Sequence, residues 1–472
     1  MDVTTKTGSA AIGDVFTLQR ATALRLRTST AAERIAKLKK LEAAVLAHRK
    51  QIHRALMEDL HKPEAETNLA EIMPVISEIR HAARHLRGWM RTCRVAPTMT
   101  MLGTQARIQT QPKGVTLIIA PWNYPFALTL APLVSAIAAG NTAIVKPSEL
   151  SPACSAVMGE IIAEVFDPAE VAMFQGGPDI STALLELPFD HIFFTGSPAI
   201  GKIVMAAAAK HLSSVTLELG GKSPVIVDAR ADIDNAAASI MWGKFLNAGQ
   251  TCIAPDHLFV HETVLPEFLD ASKQALAKMF GDNAQTSRDY CRIINSRHTA
   301  RIAHLLDDAI AKGAQAVMGN IRDEVQKYIA PTLLTNVSLD SEVMREEIFG
   351  PVLPVIPYTD LGDVIGQINA NPKPLALYVY ARDQAIIDRV ISETSSGGAC
   401  INMSMLHFTH NNLPFGGVNN SGIGSSHGVF GFRAFSHERA VLRDRFSVTP
   451  MLFPPYTARV RGLIKMTLKY FT

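Results

Sequence analysis

From about residue 21 to residue 94, Leu, Ile and Ala recur at helical spacing among Lys, Arg and Glu, which predicts a run of amphipathic helices. The pattern then changes to short apolar runs alternating with longer helical ones. Strands are predicted at 116–120, 143–146, 171–174 and 191–195, each followed by a helix, at 125–139, 152–166, 180–187 and 198–210. Apolar strands alternating with helices imply a parallel sheet covered on both faces, with ligands bound at the carboxyl ends of the strands. A second alternating region starts near 214, with strands at 223–227, 258–260, 351–356 and 376–380 and helices at 233–245 and 264–280. Residues 397–431 are rich in Gly, Asn and Ser, and no internal repeat or low-complexity linker interrupts the chain. Two α/β domains sharing a cleft are the predicted architecture.

Residues 114–140 are almost wholly apolar and could imitate a membrane span. Pro121, Asn123, Pro125 and Pro132 interrupt them, so a buried strand followed by a buried helix is the better reading. At 472 residues the chain is too long for one ordinary core. A hydrophobic fraction of 47% with 19% charged residues suits large buried cores in a globular protein. The net charge of +3, with Lys and Arg dispersed among nearly as many acids, argues against a nucleic-acid partner. Cys93, Cys154, Cys252, Cys291 and Cys400 are widely separated, which speaks against a disulfide scaffold or zinc ribbon and for a reducing, cytoplasmic compartment. The opening Met1-Asp2-Val3-Thr4-Thr5-Lys6 leads into no apolar signal region, so no secretory signal is expected.

Four short segments carry candidate chemistry. Phe194-Thr195-Gly196-Ser197-Pro198-Ala199-Ile200-Gly201 joins a predicted strand to a helix, where glycine and free N–H groups can receive a phosphate. It lacks the full G-x-G-x-x-G pattern, and a plain strand–helix turn explains it as well. Lys146-Pro147-Ser148-Glu149 stands at another strand end, where an acid and a lysine can hold ribose hydroxyls. A helix boundary capped by Ser148 is an equal account. Asn247-Ala248-Gly249-Gln250-Thr251-Cys252 sets a cysteine in a Gly- and Gln-containing turn, unlike a cysteine among aliphatics, although most lone cysteines are small buried hydrophobes. In Leu217-Glu218-Leu219-Gly220-Gly221-Lys222, an acid in apolar surroundings would have a raised pKa suited to a general base. Periodicity alone favours the opposite, a solvent-facing Glu218 with Val215, Leu217 and Leu219 on the other face.

Together these segments resemble the aldehyde dehydrogenase superfamily over nearly the whole chain. The matching stretches, in the family's order and spacing, are Ala120-Pro121-Trp122-Asn123-Tyr124-Pro125-Phe126, Gly140 through Glu149, Phe194-Thr195-Gly196-Ser197, Leu217 through Lys222, Gly249-Gln250-Thr251-Cys252 and Glu347-Ile348-Phe349-Gly350-Pro351. Ile253-Ala254-Pro255-Asp256 and Leu413-Pro414-Phe415-Gly416-Gly417 look most like the class 3, fatty-aldehyde and coniferyl-aldehyde branch. The resemblance implies two Rossmann-like α/β domains with a small β extension for oligomerisation. Its divisions would be a cofactor-binding part at 1–213 with a ribbon near 96–112, a catalytic part at 214–409, a bridging segment at 410–442 and a tail at 443–472.

It also implies roles. Cys252 would attack the aldehyde carbon, Asn123 with the Cys252 N–H would stabilise the oxyanion, and Glu218 would activate water against the resulting thioester. Lys146 and Glu149 match adenosine-ribose contacts, and Trp122, Gly196 and Ser197 match residues near the pyrophosphate. Leu219 joins the cofactor set, Glu347 matches the nicotinamide-ribose contact, and Phe349 would pack on the ring. Glu149 favours NAD, while the class 3 branch also accepts NADP. The family mechanism needs no metal, and His407 with His410 is an isolated pair. Apolar residues Trp242, Phe245, Met403, Met405, Leu406 and Phe408 would line a tunnel for a medium- to long-chain or aromatic aldehyde, or else form ordinary core. A homodimer is expected, with ribbons near 98–110 and 410–442 at the interface.

Two features depart from the ordinary. Asn419 stands where the branch commonly has glycine, and Asn tolerates a left-handed backbone well enough to keep the turn. In the tail, residues 459–471 alternate basic and apolar positions as an amphipathic helix too short and charged to span a bilayer. It could lie on a membrane surface, cover the tunnel, or pack on a partner subunit or its own domain. A coenzyme A-acylating relative and a non-catalytic binding protein on the same fold are the competing functions; the presence of Glu218 speaks against the first, and that of Cys252, Asn123 and Glu218 together against the second.

Overall fold

The computed structural model describes residues 9–447 and 449–470. Its helices begin earlier than the periodicity predicts. Helix α1 (Ser9–Leu26) buries Ala11, Ile12, Val15 and Phe16 on one face, and Phe16 meets Phe189 edge to face at 5.0 Å. The threonines and Gln19 interspersed there blur the pattern, yet Gln19 is buried, its Nε2 donating to the Ala143 and Pro168 carbonyls at 3.0 Å. Then come α2 (Ala31–Ala47), α3 (Arg49–Leu60) and α4 (Glu64–Thr67), which passes through a π turn, Asn68–Ile72, into α5 (Met73–Trp89).

Strands β1 (Cys93–Val95) and β2 (Thr104–Pro112) precede the first alternating region. This contains β3 (Val115–Ile119), α6 (Ala127–Ala139), β4 (Thr142–Lys146), α7 (Pro152–Val165), β5 (Val171–Met173), α8 (Pro178–Leu185), β6 (His191–Thr195), α9 (Pro198–His211) and β7 (Ser214–Glu218). The second region runs β8 (Pro224–Val227), α10 (Ile233–Phe245), β9 (His257–His261), α11 (Leu265–Phe280), α12 (Ser296–Ala311), β10 (Gln315–Met318), the short pair β11 (Arg322–Asp323) and β12 (Tyr328–Ile329), and β13 (Thr332–Thr335). It ends with α13 (Glu342–Arg345), β14 (Val352–Tyr358), α14 (Leu361–Ala370), β15 (Ala376–Tyr380), α15 (Gln384–Glu393) and β16 (Gly398–Ile401). Last are β17 (Gly422–Ile423), α16 (Gly428–Ala434), β18 (Ser436–Asp444) and α17 (Ala458–Tyr470).

The first sheet has the order β17-β7-β6-β3-β4-β5, parallel except for β17. The second has the order β10-β13-β14-β9-β8-β15-β16, parallel except for β10. Helices cover both faces of each sheet, which is why the strands read as continuous apolar runs. Ser214–Glu218 is still a strand of the first sheet, so the step between sheets falls a few residues beyond the boundary at 213 that the sequence suggests. β17 pairs back onto β7, and β18 pairs with β2 along nine residues, so the Gly-rich segment returns the chain from the second sheet to the first.

The apolar stretch 114–140 is strand β3 and the buried helix α6. Both ends of α6 are satisfied by charged side chains. Arg34 donates to the Ala138 and Ala139 carbonyls at 3.0 and 2.6 Å, and Glu71 accepts from the Ala127 N–H at 2.9 Å. Glu71 also pairs with Lys62 at 2.6 Å, both side chains being fully buried. None of the described helices is long and apolar enough to cross a membrane. Removing one partner of a buried ion pair strands the other charge at a cost of about 3–5 kcal/mol. Lys62→Met should therefore lower the denaturant midpoint sharply, and adding Glu71→Leu should recover part of the loss.

Candidate active site

In the first sheet the strand order reverses between β3 and β6, and the crevice at their carboxyl ends is where such a sheet receives ligands. The segment Ala120-Pro121-Trp122-Asn123 leaves β3 there, and Gly196-Ser197 leaves β6. Ser197 caps α9, its Oγ accepting from the Ile200 N–H at 3.5 Å, and since Pro198 has no N–H, Ala199 supplies the remaining first-turn N–H for a ligand. Glu218 is the last residue of β7, beside this crevice.

The second sheet contributes differently. Cys252 precedes β9 and Glu347 precedes β14, so both belong to its amino end, not the carboxyl end that the general rule suggests. The reason is a sharp reversal after α10. Asn247, Ala248 and Gly249 have φ of 52°, 51° and 76°, three left-handed residues in succession. Glycine is required at 249, where a Cβ would lie 2.3 Å from the Gly350 carbonyl oxygen. Side chains hold the turn. Buried Gln250 donates to the Asn247 and Arg292 carbonyls at 2.9 and 3.0 Å and accepts from the Ile294 N–H at 3.0 Å.

This turn brings Cys252 to Asn123. Asn123 is 3% exposed, and its carboxamide donates to the Gln250 carbonyl at 3.0 Å, leaving the second amide hydrogen for a ligand. Its backbone carbonyl accepts from Lys62 at 3.1 Å and from the Asn247 side chain at 2.8 Å. Tyr124 OH lies 2.8 Å from Thr251 Oγ1, tying the two loops together once more. Lys62, Glu71 and Tyr124 are supporting residues that the sequence does not single out, since a Lys and a Glu nine positions apart among helices read as surface charges.

Glu218 is buried, at 5% exposure, contrary to the solvent-facing position that strand alternation favours. Strand β17 pairs along the edge of β7, and the loop that follows carries Ser426 onto the Glu218 carboxylate, so the face expected to meet solvent lies inside the protein. Burial pushes the carboxyl up to about 8, opposed by a hydrogen bond from Ser426. Burial likewise pushes the Cys252 thiol up to about 12, with Glu347 and Glu218 adding to the rise. Glu347 is itself raised to about 8 by burial and by Asp256. Of the other cysteines, Cys154, Cys291 and Cys400 are buried and Cys93 is exposed.

Glu347 Oε1 is buried without a hydrogen-bond partner, and a Cβ at Gly220 would collide with its carboxylate. An orphaned buried carboxylate oxygen facing a glycine fits a ribose hydroxyl. Residues 347–350 are pinned by Arg301, which donates to the Glu347 and Ile348 carbonyls at 3.3 and 2.6 Å, and by Asp256, which accepts from the Ile348 N–H at 2.9 Å. Phe349, with φ of 46°, packs edge-on against Trp122 at 5.4 Å. Lys146 and Glu149 form an ion pair of 2.9 Å at the end of β4, Lys146 buried and Glu149 open to solvent. Leu219 packs against Gly201 of α9, where a Cβ would approach its Cδ2 to 2.7 Å.

Cys252, Glu218 and Ser426 line one cavity of about 370 Å³ with walls of Leu128, Pro132, Trp242, Met405, Leu406 and Phe408. Phe245, by contrast, is core at 1% exposure, and Met403 is 44% exposed and outside the cavity. Periodicity cannot separate these from Trp242 because one helix or loop presents several apolar faces. Asn419 adopts the left-handed backbone that its position requires, at φ 54°.

The profile of the aldehyde dehydrogenase family matches residues 4–441. The 4,4'-diaponeurosporen-aldehyde dehydrogenase of Staphylococcus aureus is 44% identical over 425 residues, covering 90% of this chain and 92% of that one. Aldehyde dehydrogenase family 3 member A2 of Mus musculus is 44% identical over 425 residues, covering 89% and 87%. The substrate-bound structure of Staphylococcus aureus AldH superposes with a TM-score of 0.93 at 42% identity, covering 97% of this chain and 99% of that one. The chain belongs to the aldehyde dehydrogenase family and is an NAD(P)-dependent oxidoreductase that acts on the aldehyde group.

Proposed function

We propose that the chain oxidises apolar, medium- to long-chain or aromatic aldehydes to carboxylic acids through a thioester on Cys252 that Glu218 hydrolyses. The observation that carries this reading is the shared cavity, an almost wholly apolar space lined by both Cys252 and Glu218. The Cys252 sulfur adds to the aldehyde carbon, and its proton passes to Glu218 or to solvent. The carbonyl oxygen becomes an oxyanion held by the free Asn123 amide hydrogen and the Cys252 N–H. A nicotinamide held by Glu347 and Phe349 would supply the hydride acceptor that this oxidation requires, while burial holds the free Cys252 thiol protonated. Water then attacks the thioester carbon, Glu218 takes its proton, and the carbon–sulfur bond breaks to release the acid.

Lys146 and Glu149 would hold the adenosine ribose, with Trp122, Gly196, Ser197 and Leu219 around the pyrophosphate. Glu347 would hold the nicotinamide ribose, with Phe349 against the ring. The divisions of this scheme are a cofactor part at 1–213, a catalytic part at 214–409, a bridge at 410–442 and a tail at 443–472. The exposed negative charge of Glu149 supports a preference for NAD over NADP. Hydrolysis is favoured over transfer to coenzyme A because a buried carboxylate with a raised pKa stands in the same cavity as the thiol.

In solution the chain is proposed to be a cytoplasmic homodimer, the ribbon of β1, β2 and β18 with exposed Met99, Met101 and Leu442 supplying the interface. Helix α17 has no buried residue and carries Arg459, Arg461, Lys465 and Lys469 beside exposed Met466 and Leu468. That composition supports contact with an anionic membrane surface.

Three measurements test this. Wild-type protein should reduce NAD or NADP with an aldehyde and without coenzyme A, and Cys252→Ala should not. Turnover only on addition of coenzyme A would make the acylating reading correct. The kcat/KM for octanal or a cinnamyl-type aldehyde should exceed that for acetaldehyde, and the reverse order would discard the apolar-substrate assignment. Light scattering should give a dimer, and a chain shortened by α17 should remain one while losing binding to anionic vesicles. A monomer on shortening would make α17 an interface helix instead.

A further inference from the structure

Among the described residues the Glu218 carboxylate has a single hydrogen-bond donor, and it comes from the loop that returns from the second sheet. Ser426 Oγ lies 3.0 Å from Glu218 Oε1, while Oε2 is buried with no hydrogen-bond partner. The same hydroxyl lies 3.2 Å from the Phe415 carbonyl oxygen. The loop is rigidly held at this point. Ser426 and Phe415 form an antiparallel bridge, with the Ser426 N–H donating to the Phe415 carbonyl at 2.6 Å and the return bond at 3.3 Å. One residue on, His427 takes φ of 68°, and the Gly428 N–H donates to Glu78 Oε1 at 2.7 Å.

We propose that Ser426 is a positioning residue for the general base, orienting the Glu218 carboxylate through Oε1 so that Oε2 is the oxygen presented to water. This rests on Glu218 being the base that hydrolyses the thioester. A serine hydroxyl has one proton to give and two lone pairs, so it serves both states of the base. With Glu218 ionised, Oγ donates to Oε1. With the proton from water on Oε2, Oγ still donates to Oε1, and with the proton on Oε1 instead, Glu218 donates to Oγ and Oγ turns its own proton to the Phe415 carbonyl. The acid is thus never left wholly unpartnered in an apolar pocket, and Oε2 stays available to water.

The hydrogen bond from Ser426 favours the charged carboxylate against the larger effect of burial, which favours the neutral acid. The other titratable groups facing this region are Cys252 across the cavity, His427 next along the loop and Glu78 behind it, with Glu347 beyond Cys252. Each is present in every variant below, so differences among variants report Ser426 alone.

The test is an infrared pH titration of the Glu218 carboxyl band, assigned by its loss in Glu218→Gln. Ser426→Ala should raise the midpoint by about one unit, so that below both midpoints about tenfold less base is ionised. The rising limb of the thioester-hydrolysis rate should move by the same amount. Ser426→Thr, which keeps the hydroxyl, should restore both midpoints. An unmoved midpoint in Ser426→Ala overturns the role of Ser426, whatever happens to turnover. A moved midpoint in a chain that oxidises no aldehyde upholds the pairing and counts against the base assignment instead.

Discussion

The site depends on three consecutive residues held in the left-handed region. A right-handed continuation of α10 through residues 247–249 would carry Cys252 away from β3 and leave Asn123 facing nothing. Non-glycine residues in that region cost of order 1–3 kcal/mol each when nothing compensates. Compensation here is specific: Gln250 closes hydrogen bonds on the turn itself and on residues 292 and 294, and Asn247 spends its side chain on the Asn123 carbonyl. The strain is therefore borne by groups that also hold Asn123 in place. Gly249 is the one position in the turn where backbone approach leaves no room for a side chain.

Buried charge is used in two distinct ways around this turn. Lys62 and Glu71 are paired and fully hydrogen-bonded, joining the helical segment 31–89 to the start of α6 and to the Asn123 carbonyl. A pair so completely satisfied has little to offer a substrate. Glu218 and Glu347 are the opposite, each keeping one buried oxygen without a partner in an environment that favours the neutral acid. Burial raises the Cys252 thiol most, and these two acids add to the rise, so the thiol is held protonated.

The two sheets meet the cavity from opposite ends. The first offers strand carboxyl ends and the N-terminus of α9, as open α/β sheets do, and the second offers the loops that enter β9 and β14. The Gly-rich segment closes the arrangement, because β17 pairs with β7 and thereby brings Ser426 over Glu218. Close backbone approaches along it explain its composition: a Cβ at Gly417 would lie 2.0 Å from the Ser421 carbonyl oxygen, and one at Gly416 would lie 2.3 Å from that of Gly424.

The sequence by itself determined the alternation of strands and helices, because strands covered on both faces must be apolar throughout. It also marked the turn around Cys252 and the segments at 146–149, 194–201 and 217–222 by their unusual residue combinations, while the segment at 347–351 stood out only through the family resemblance. Tertiary structure decided what local periodicity cannot carry. Alternation along β7 assigned Glu218 to solvent, but the loop after β17, more than 200 residues further on, brings Ser426 onto its carboxylate and the side chain is buried. Helical spacing gave no means of telling Trp242, which lines the cavity, from Phe245, which does not. Nothing in the local pattern singles out Lys62, Glu71 or Ser426. Their roles exist only through contacts between distant segments, and a pattern read over one or two turns of chain has no access to the packing that makes them.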